Sequence, residues 1–279
     1  DSSSDSSDDD QATAEGITRT TSRSTYWIGN SLMTFDAANG DPEGEFSAPW
    51  WLQQIAQASG DTHDYHLVIT GGASYQTNEP LAGADLTALS GVDEVFLVGE
   101  YSESISQEDQ DAAARLQTQV DDNTSPTARF TLYSPWPQVI GTTDPFDPLD
   151  PTTASPAEWE PAFDAWVTEV TGPFEANRKA VAETLGERIL PVGRTLARLW
   201  SGSGPLAGED SRNLFFDQPG HLTPEGYWQV GLMAYMYLHG RKPTLTEASP
   251  PSSVTSSYST VVQQAIVDFL WQEMVAEFG

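Results

Sequence analysis

A serine and a histidine, far apart in the chain, carry the chemistry that stands out in this sequence. Ser31 comes shortly after an apolar run, TYWIG at 25–29, and His221 lies in the segment 215–231 with Asp217 four residues before it. A serine hydroxyl becomes a nucleophile when an imidazole takes its proton, and a carboxylate fixes the tautomer of that imidazole and stabilises its charged form. These residue types predict nucleophilic catalysis by serine.

Each of these residues also has an ordinary structural interpretation. Gly-x-Ser triplets are common, and Gly72-Ala73-Ser74 is a second one in this chain. Neither triplet continues into the Gly-x-Ser-x-Gly elbow of the α/β-hydrolases. A lone histidine just before a helix more often caps or bridges it, and His221 precedes Thr223, a good helix N-cap. We expect Gly29 to permit a tight turn before the serine.

Short apolar runs alternate along the chain with segments of helical periodicity. The runs, each interpreted as a buried strand, are 25–29, 66–70, 94–99, 128–133 and 188–193. The helical segments are 48–58 after a cap at Ser47, 107–120, 158–185 with a break at Gly172-Pro173, and Thr223 to about His239. Strands that alternate with helices are typical of a parallel sheet covered on both faces, so we predict an α/β fold. Such folds bind ligands at the carboxyl edge of the sheet, where Ser31 falls.

The sequence divides into three parts. Residues 1–22 are rich in serine and aspartate, and we predict that they form a disordered acidic linker. Residues 23–245 form the folded domain, which includes an irregular proline-rich insertion at 134–156. Residues 246–279 are a Pro/Ser linker and an amphipathic helix that we expect to dock on the domain, with dimerisation as the alternative. The expected packing face of that helix is Val262, Ile266, Phe269 and Leu270.

The composition is strongly acidic. The 279 residues include 12 Lys and Arg against 41 Asp and Glu, which gives a net charge of -29. Such a surface repels phosphate backbones and anionic lipid, so nucleic acid is not expected as a partner. No apolar run approaches the ~20 residues that a spanning helix needs, so membrane insertion is not expected either. Only Lys179 and Lys242 are lysine, and the acidity extends far beyond the first residues, which predicts adaptation to high salt. An ordinary acidic protein with a charged tail is the alternative.

The sequence gives little support for a metal or a cofactor. Cysteine is absent, which excludes thiol catalysis, a disulfide framework and cysteine-bound metal clusters. His63 and His66 are at most half of a metal site. Asp144, Asp147 and Asp150 are interpreted as solvated surface, with a calcium site as the minor alternative. We therefore expect neither a metal nor a cofactor.

Two motifs together resemble a known family. Gly29-Asn30-Ser31-Leu32 after the first strand, and Asp217 with His221-Leu222-Thr223-Pro224-Glu225-Gly226 near the end, are similar to the motifs of the SGNH (GDSL-type) hydrolases. The resemblance covers roughly residues 23–240. It implies a three-layer α/β/α, flavodoxin-like fold with a five-stranded parallel sheet, and ester hydrolysis through an acyl-enzyme. It also implies that Ser31 is the nucleophile, His221 the general base and Asp217 its orienting acid.

The resemblance is incomplete around the oxyanion hole, which in this family uses the nucleophile's N–H, a glycine N–H and an asparagine side chain. The first two match Ser31 and Gly72. In place of the asparagine the chain has Gly99-Glu100-Tyr101-Ser102, so we expect the Gly99 N–H or the Ser102 hydroxyl to substitute. The Asp–His gap of four positions also departs from the family's usual three.

These residues together predict a serine esterase that acts on small-molecule or polysaccharide esters, with deacetylation of carbohydrate as the finer expectation. Trp50, Trp51, Trp136 and Tyr101 are the expected substrate-binding residues. The three tryptophans are interpreted either as a sugar-stacking platform or as part of the buried core. A lipase or general carboxylesterase is one alternative, and a catalytically weakened, glycan-binding surface protein is another. The serine-rich start favours an extracellular or cell-surface location. The sequence leaves the oligomeric state open.

Overall fold

The computed structural model describes residues 17–35, 44–79, 81, 83–99, 105–141, 148–218 and 220–279. The strands in these ranges are β1 (Ser22–Gly29), β2 (Thr62–Ile69), β3 (Glu94–Val98), β4 (Arg129–Tyr133) and β5 (Arg188–Leu190). The first helices are α1 (Ala48–Ala58), α2 (Gly83–Ala88), α3 (Gln107–Asn123), α4 (Pro156–Thr171) and α5 (Pro173–Leu185). The remaining ones are α6 (Val192–Leu199), α7 (Pro224–His239), α8 (Leu245–Ala248), α9 (Ser252–Ser257) and α10 (Thr260–Phe278), with a 3₁₀ turn at Ser211–Leu214.

The strands form one parallel sheet in the order β2-β1-β3-β4-β5. This is the flavodoxin-like order, in which the connection reverses direction between β1 and β3. Loops at the carboxyl ends of those two strands border a crevice at the reversal point, and ligands bind there in open α/β sheets. The predicted α/β fold with five parallel strands is therefore confirmed.

Helices cover both faces of the sheet. Trp27, Phe96 and Tyr133 belong to the larger core, which the sheet shares with α1, α4, α6, α7 and α10. Tyr26 and Leu97, adjacent to residues of the first set along their strands, belong to the core shared with α2, α3 and α5. Because successive residues of a strand point to opposite faces, buried strands of this kind are apolar on both sides. The result is a three-layer α/β/α arrangement.

The helix α7 is the most deeply buried element of the larger core. All its residues from Glu225 to His239 are buried, as expected for a helix that is enclosed on every side. Thr223 caps its first turn by accepting a hydrogen bond from the Gly226 N–H, and Pro224 occupies the first helical position, where a missing N–H costs nothing. The predicted helix from Thr223 to about His239 is confirmed.

The last helix, α10, docks on α7 and α6, as expected. The buried face differs from the predicted one, however: Ile266 and Leu270 are buried, but Val262 and Phe269 are only partly so. The buried residues of α10 are Gln263, Ile266, Val267, Leu270, Glu273 and Met274. The Gln263 side chain reaches the Tyr258 carbonyl at 2.7 Å and Glu273 pairs with Arg198 at 2.8 Å, so two polar residues join the packed face.

Several element boundaries differ from the prediction, and in β1 and β2 this is because backbone pairing extends beyond the apolar runs. β1 and β2 begin at Ser22 and Thr62, and their polar first residues pair with each other. β5 ends at Leu190, and α6 begins within the predicted strand. Residues 17–21 lie against the domain, where the Thr20 N–H donates to the His239 carbonyl at 3.0 Å. The Pro/Ser segment 247–259 contains the end of α8 and all of α9, so it is not a continuous linker. No helix in the described part of the chain is long and apolar enough to span a bilayer.

Candidate active site

Ser31 lies in the turn that follows β1, at the carboxyl edge of the sheet. The preceding residue, Asn30, is buried, and its side-chain oxygen accepts a hydrogen bond from the Leu32 N–H at 3.0 Å. The Tyr227 hydroxyl, on α7, donates to the Ser31 carbonyl at 2.7 Å. The Tyr133 hydroxyl, at the end of β4, donates to the Leu32 carbonyl at 3.2 Å. Hydrogen bonds from α7 and β4 therefore hold the backbone of this turn in place. They use backbone carbonyls only, so the serine hydroxyl does not take part in them.

We had expected Gly29 to permit a tight turn, but the structure shows that close packing requires a glycine there. Its φ is not positive, so its backbone conformation is open to other residues. A Cβ atom at this position would lie 2.1 Å from Cγ1 of Val98 and 2.8 Å from Sδ of Met33. Glycine therefore lets β1 and β3 approach one another immediately before the serine.

His221 brings the two ends of the sequence together. Its Nε2 lies 2.8 Å from the Oγ of Ser31, and its Nδ1 lies 2.7 Å from Oδ2 of Asp217. The other carboxylate oxygen of Asp217 accepts a hydrogen bond from the His221 backbone N–H at 2.9 Å. The His221 side chain is 11% exposed and the Asp217 side chain 26%. A carboxylate on Nδ1 leaves Nε2 as the proton acceptor that faces the hydroxyl.

The loop between the 3₁₀ turn and α7 shows how an Asp–His spacing of four is accommodated. The Phe216 N–H donates to the His221 carbonyl at 3.0 Å, and the Gly220 N–H donates to the Asp217 carbonyl at 3.1 Å. Gly220 has a φ of +85°, a conformation that favours glycine. The Trp136 indole donates to the Gly220 carbonyl at 2.8 Å. These bonds fold the longer loop back so that the carboxylate still reaches the imidazole.

Asn30 connects three loops at the carboxyl edge. Its side-chain amide donates to the Ala73 carbonyl at 3.0 Å and to the Gly99 carbonyl at 3.1 Å. These carbonyls belong to the loops after β2 and β3, on either side of the turn that carries Ser31. The sequence analysis did not assign Asn30 a role, although a polar residue between a buried strand and a candidate nucleophile is a usable signal. Asn30 fixes the relative positions of the nucleophile and the loops beside it.

The structure supports the predicted oxyanion residues to different degrees. Gly72 is exposed, has a φ of +66°, and lies next to Ala73, the residue tied to Asn30. Within the described residues, neither the Ser31 N–H nor the Gly72 N–H has a hydrogen-bond acceptor, so both remain available. At Gly99 a Cβ would lie 2.2 Å from the Tyr75 ring, so packing alone requires glycine there. Ser102 and Tyr101 lie outside the described residues.

The chain was compared with family models, curated proteins and solved structures, and only solved structures are similar to it. No family model matches the chain, and no curated protein matches it. A DUF4886 family protein from Bacteroides uniformis ATCC 8492 superposes with a TM-score of 0.63 at 14% identity, over 91% of this chain and 95% of that one. This likeness and the strand order agree with the fold that the resemblance to the SGNH hydrolases implies. The chain has a flavodoxin-like, three-layer α/β/α fold.

Two further solved structures are similar at a lower level. The lipase/acylhydrolase from Enterococcus faecalis has 10% identity and a TM-score of 0.48, over 80% of this chain and 98% of that one. Phospholipase A1 from Streptomyces albidoflavus NA297 has 11% identity and a TM-score of 0.44, over 78% of this chain and 97% of that one. Both TM-scores are below 0.5, so the assignment of the three-layer α/β/α fold rests on the sheet order and the first comparison.

Two phenylalanines beside His221 and a third packed against them, which the sequence analysis missed, add an apolar wall to this site. The Phe35 ring centroid lies 4.6 Å from that of His221, and the Phe216 ring stacks on the imidazole at 5.9 Å. Phe46 joins them through an edge contact with Phe216 at 5.0 Å. All three rings are only partly buried. The signal available in the sequence was the Phe215-Phe216 pair directly before Asp217.

Of the two interpretations of the tryptophans, burial in the core holds for Trp51 and Trp136. Trp51 is 4% exposed, and its indole donates to the Glu45 carbonyl at 2.9 Å. Trp136 is 1% exposed and supports the histidine loop through Gly220. These two rings are core residues because their apolar bodies fill the space under the loops while each N–H finds a carbonyl. Trp50 is half-buried, with its ring edge-on to Trp51 at 4.7 Å.

The polar groups weighed as metal ligands have other partners. His63 is buried, and its Nε2 lies 3.0 Å from the Thr25 hydroxyl. His66 is exposed against the Tyr26 ring, at 4.8 Å between centroids. Asp150 binds the backbone and hydroxyl of Thr152. Asp144 and Asp147 lie outside the described residues. Over the described ranges, no group of three or more His, Asp or Glu side chains is arranged to hold a metal ion.

Proposed function

We propose that this protein is a serine esterase that hydrolyses acyl esters through an acyl-enzyme. The observation that carries the proposal is the continuous hydrogen-bonded chain from Ser31 Oγ to His221 Nε2 at 2.8 Å and from His221 Nδ1 to Asp217 at 2.7 Å. A nucleophile, a base and a carboxylate that orients the base are the parts that acyl transfer needs. The fold places them at the carboxyl edge, beside the reversal point of the sheet.

The reaction begins when Ser31 Oγ attacks the ester carbonyl while its proton moves to His221 Nε2. Asp217 stabilises the imidazolium that forms. The carbonyl oxygen becomes negative and accepts hydrogen bonds from the N–H groups of Ser31 and Gly72. Collapse of the tetrahedral intermediate breaks the bond to the alcohol, which leaves with the proton from His221. Water then repeats the sequence on the acyl-enzyme, and its proton passes through His221 back to Ser31 as the carboxylic acid is released.

A third oxyanion donor comes from the loop after β3, where the family's asparagine is absent. The Gly99 N–H and the Ser102 hydroxyl are the candidates. If Ser102 donates, Ser102→Ala lowers kcat on the order of tenfold or more and leaves KM nearly unchanged, because the hydrogen bond forms mainly in the transition state. An unchanged kcat leaves Gly99 as the donor.

The phenylalanine wall of Phe35, Phe46 and Phe216 indicates which kind of acyl group the substrate carries. Phe35 and Phe216 lie against the imidazole, and Phe46 packs against Phe216. All three rings are only partly buried, and this favours a lipase-like or general carboxylesterase that takes an apolar acyl group. Deacetylation of carbohydrate, the finer expectation, keeps support only from the half-buried Trp50, because Trp51 and Trp136 are core residues.

The test is hydrolysis of p-nitrophenyl acetate, butyrate and octanoate, in dilute buffer and in molar NaCl, together with labelling by a fluorophosphonate. We expect turnover and labelling in the unaltered protein, and loss of both in Ser31→Ala. Ser90→Ala is the matched control, since Ser90 is exposed in the turn before β3 at the opposite edge of the sheet. Absence of both turnover and labelling from the unaltered protein would replace this proposal with the glycan-binding alternative.

The same proposal includes a working environment of high salt and an extracellular or cell-surface location. Its support is the net charge of -29, with 41 acidic residues spread along the chain, and the Ser/Asp-rich start. Salt screens the self-repulsion of such a surface. The melting temperature should therefore rise strongly between dilute buffer and molar NaCl, as measured by circular dichroism. A flat or falling melting temperature contradicts the adaptation.

A further inference from the structure

A cavity of about 300 Å³ opens at the amino edge of the sheet, opposite the candidate active site. It lies between the starts of β1, β4 and β5, the end of α7 and the end of α10. Among the residues that the structure describes, the charged side chains that line it are all arginine: Arg23, Arg129 and Arg188. In a chain with 12 basic residues against 41 acidic ones, a cavity whose charged lining is wholly basic is unusual.

The register of the sheet brings these three arginines to one face. Thr25 pairs with Glu94, and Glu94 with Arg129, so these residues share a face. Thr131, two residues after Arg129, pairs with Arg188. Because side chains alternate along a strand, Arg23 and Thr25 share that face too. The convergence of the guanidinium groups is thus a property of the strand register and does not depend on flexible loops.

The positive charge in this cavity is only partly neutralised. Arg129 Nε lies 2.7 Å from the buried carboxylate of Glu94, but its Nη2 is buried without a hydrogen-bond partner within the described ranges. Arg23 lies 4.0 Å from Asp93, the limit of an ion pair, and its Nε and Nη2 donate to the Leu238 carbonyl and the Thr20 hydroxyl, each at 3.3 Å. Arg188 is exposed, and no carboxylate of a described residue lies within 4 Å of its guanidinium. The Arg188 guanidinium, the remaining N–H groups of Arg23 and the unpaired Arg129 N–H are therefore available to an anion.

The rest of the lining suits an organic molecule better than a bare ion. Ile17, Leu238 and Phe278 supply apolar surface, and the Thr127 side chain supplies a hydroxyl at the rim. The volume is at the lower end of the range for small-molecule sites. Guanidinium groups bind carboxylate and phosphate oxygens through paired, charge-assisted hydrogen bonds.

We propose that this cavity, which we call the arginine pocket, binds a small organic anion: a carboxylate or phosphate group held by Arg23, Arg129 and Arg188, attached to an apolar body that packs on Leu238 and Phe278. The site is separate from the candidate active site, since β1 from Arg23 to Gly29 spans about 20 Å. It does not depend on the proposed esterase activity, so its test is a binding measurement on the whole protein.

The probes are benzoate and phenyl phosphate, with benzamide as the neutral control of the same shape. Isothermal titration calorimetry at constant ionic strength should show binding of at least one anion and none of benzamide. Comparison of benzoate with phenyl phosphate identifies which anionic group the pocket prefers. Arg188→Gln should weaken that binding at least tenfold, and Arg23→Gln should weaken it as well. Arg129 is left unaltered because it neutralises the buried Glu94.

Arg115→Gln is the matched control, because it removes the same charge from α3, where Arg115 is exposed and pairs with Glu79 at 2.6 Å. It should leave the affinity within about twofold of the unaltered protein, since distant charges are screened. The proposal is overturned if no anion binds, if benzamide binds as well as the anions, or if Arg188→Gln and Arg115→Gln have the same effect. Circular dichroism spectra and melting curves of the variants confirm that each one is folded.

Discussion

His221 and His63 lie toward opposite ends of the same parallel sheet. The two imidazoles differ in their hydrogen-bond partners and in their burial, which together decide how readily each one takes up a proton. His221 holds a carboxylate on one nitrogen and a serine hydroxyl on the other, with part of its ring exposed. His63 is buried, with the Thr25 hydroxyl 3.0 Å from one nitrogen and a second imidazole, that of His239, 3.4 Å from the other.

The difference shows how burial and partners decide the use of one residue type. A carboxylate stabilises the imidazolium that proton transfer produces, so His221 can accept a proton from Ser31. Burial, and then the neighbouring His239, lower the pKa of His63 to about 3. A neutral, enclosed imidazole serves as a hydrogen-bonding core residue. Reactivity at the carboxyl edge and structural support nearer the amino edge thus come from the same side chain in two environments.

Asp217→Asn removes the feature that most distinguishes His221 from His63. The amide is neutral and favours the wrong tautomer of the imidazole, so kcat for p-nitrophenyl butyrate should fall on the order of 10³–10⁴-fold. Steady-state kinetics measure the effect, and Asp210→Asn serves as control, because Asp210 pairs with Arg212 in the neighbouring turn. A loss of less than about tenfold would mean that Asp217 does not orient the base.

Asn30→Ala tests the connection that holds the carboxyl edge together. Without the amide, the Ala73 and Gly99 carbonyls lose their donor, which should lower the free energy of unfolding by about 2–4 kcal/mol. We also expect kcat to fall on the order of tenfold, because the oxyanion loop is no longer fixed beside Ser31. Urea denaturation and kinetics measure the two effects.

Asn123→Ala is the control for that variant, since Asn123 is exposed and its amide donates to one carbonyl, that of Gln119. An equal, small change in both variants would show that the bonds of Asn30 do not organise the site.

The contrast between the histidines also predicts how stability depends on pH. In the unfolded chain His63 has an ordinary pKa of about 6.5, so between pH 6.5 and its native value the unfolded state holds the extra proton. The free energy of unfolding should therefore fall as the pH drops below about 6.5, by up to about 1.4 kcal/mol per pH unit. Burial lowers the pKa of His239 too, which adds to the slope.

His63→Gln should flatten this slope in urea denaturation between about pH 7.5 and pH 5, because its amide does not titrate. His66→Gln, at an exposed position three residues further along the strand, should keep the slope. Parallel stability curves for the two variants would show that the acid sensitivity has its origin elsewhere.

The smallest effect concerns the phenylalanine wall, which His63 lacks. Phe216→Ala removes a ring that stacks on His221, so kcat/KM for the octanoate ester should fall about tenfold relative to the acetate ester. Phe269→Ala, a partly buried ring on α10, is the control. If the ratio of octanoate to acetate activity is the same in Phe216→Ala as in the unaltered protein, the wall does not contact the acyl group.

The sequence was sufficient for the parallel sheet because buried strands such as 94–98 are continuous apolar runs. It was also sufficient for the meeting of Ser31 with His221, since the residues after β1 and those before α7 lie at one edge of the sheet in this fold. It was insufficient for Trp51 and Trp136, because a tryptophan near a presumed site packs equally well above or below the loops.

The site residues that the sequence analysis missed could not be identified for a different physical reason. Phe35, Phe46 and Phe216 come from segments without helical or strand periodicity, so no pattern indicates which way their rings point. Asn30 acts through carbonyls of the loops after β2 and β3, and such backbone partners leave no trace in residue identity. Side-chain contacts with distant backbone appear only once the fold is complete.

The two halves of the catalytic chain differ greatly in contact order. Asp217 and His221 are four positions apart, so their bond closes a tiny loop, whereas Ser31 and His221 are 190 positions apart. A contact across that separation requires β1 and the start of α7 to be in place, and its loop-closure entropy is compensated only by the packed core. During refolding, the proposed esterase activity should therefore return only when the whole domain has assembled, and its rate of recovery measures the rate of that assembly.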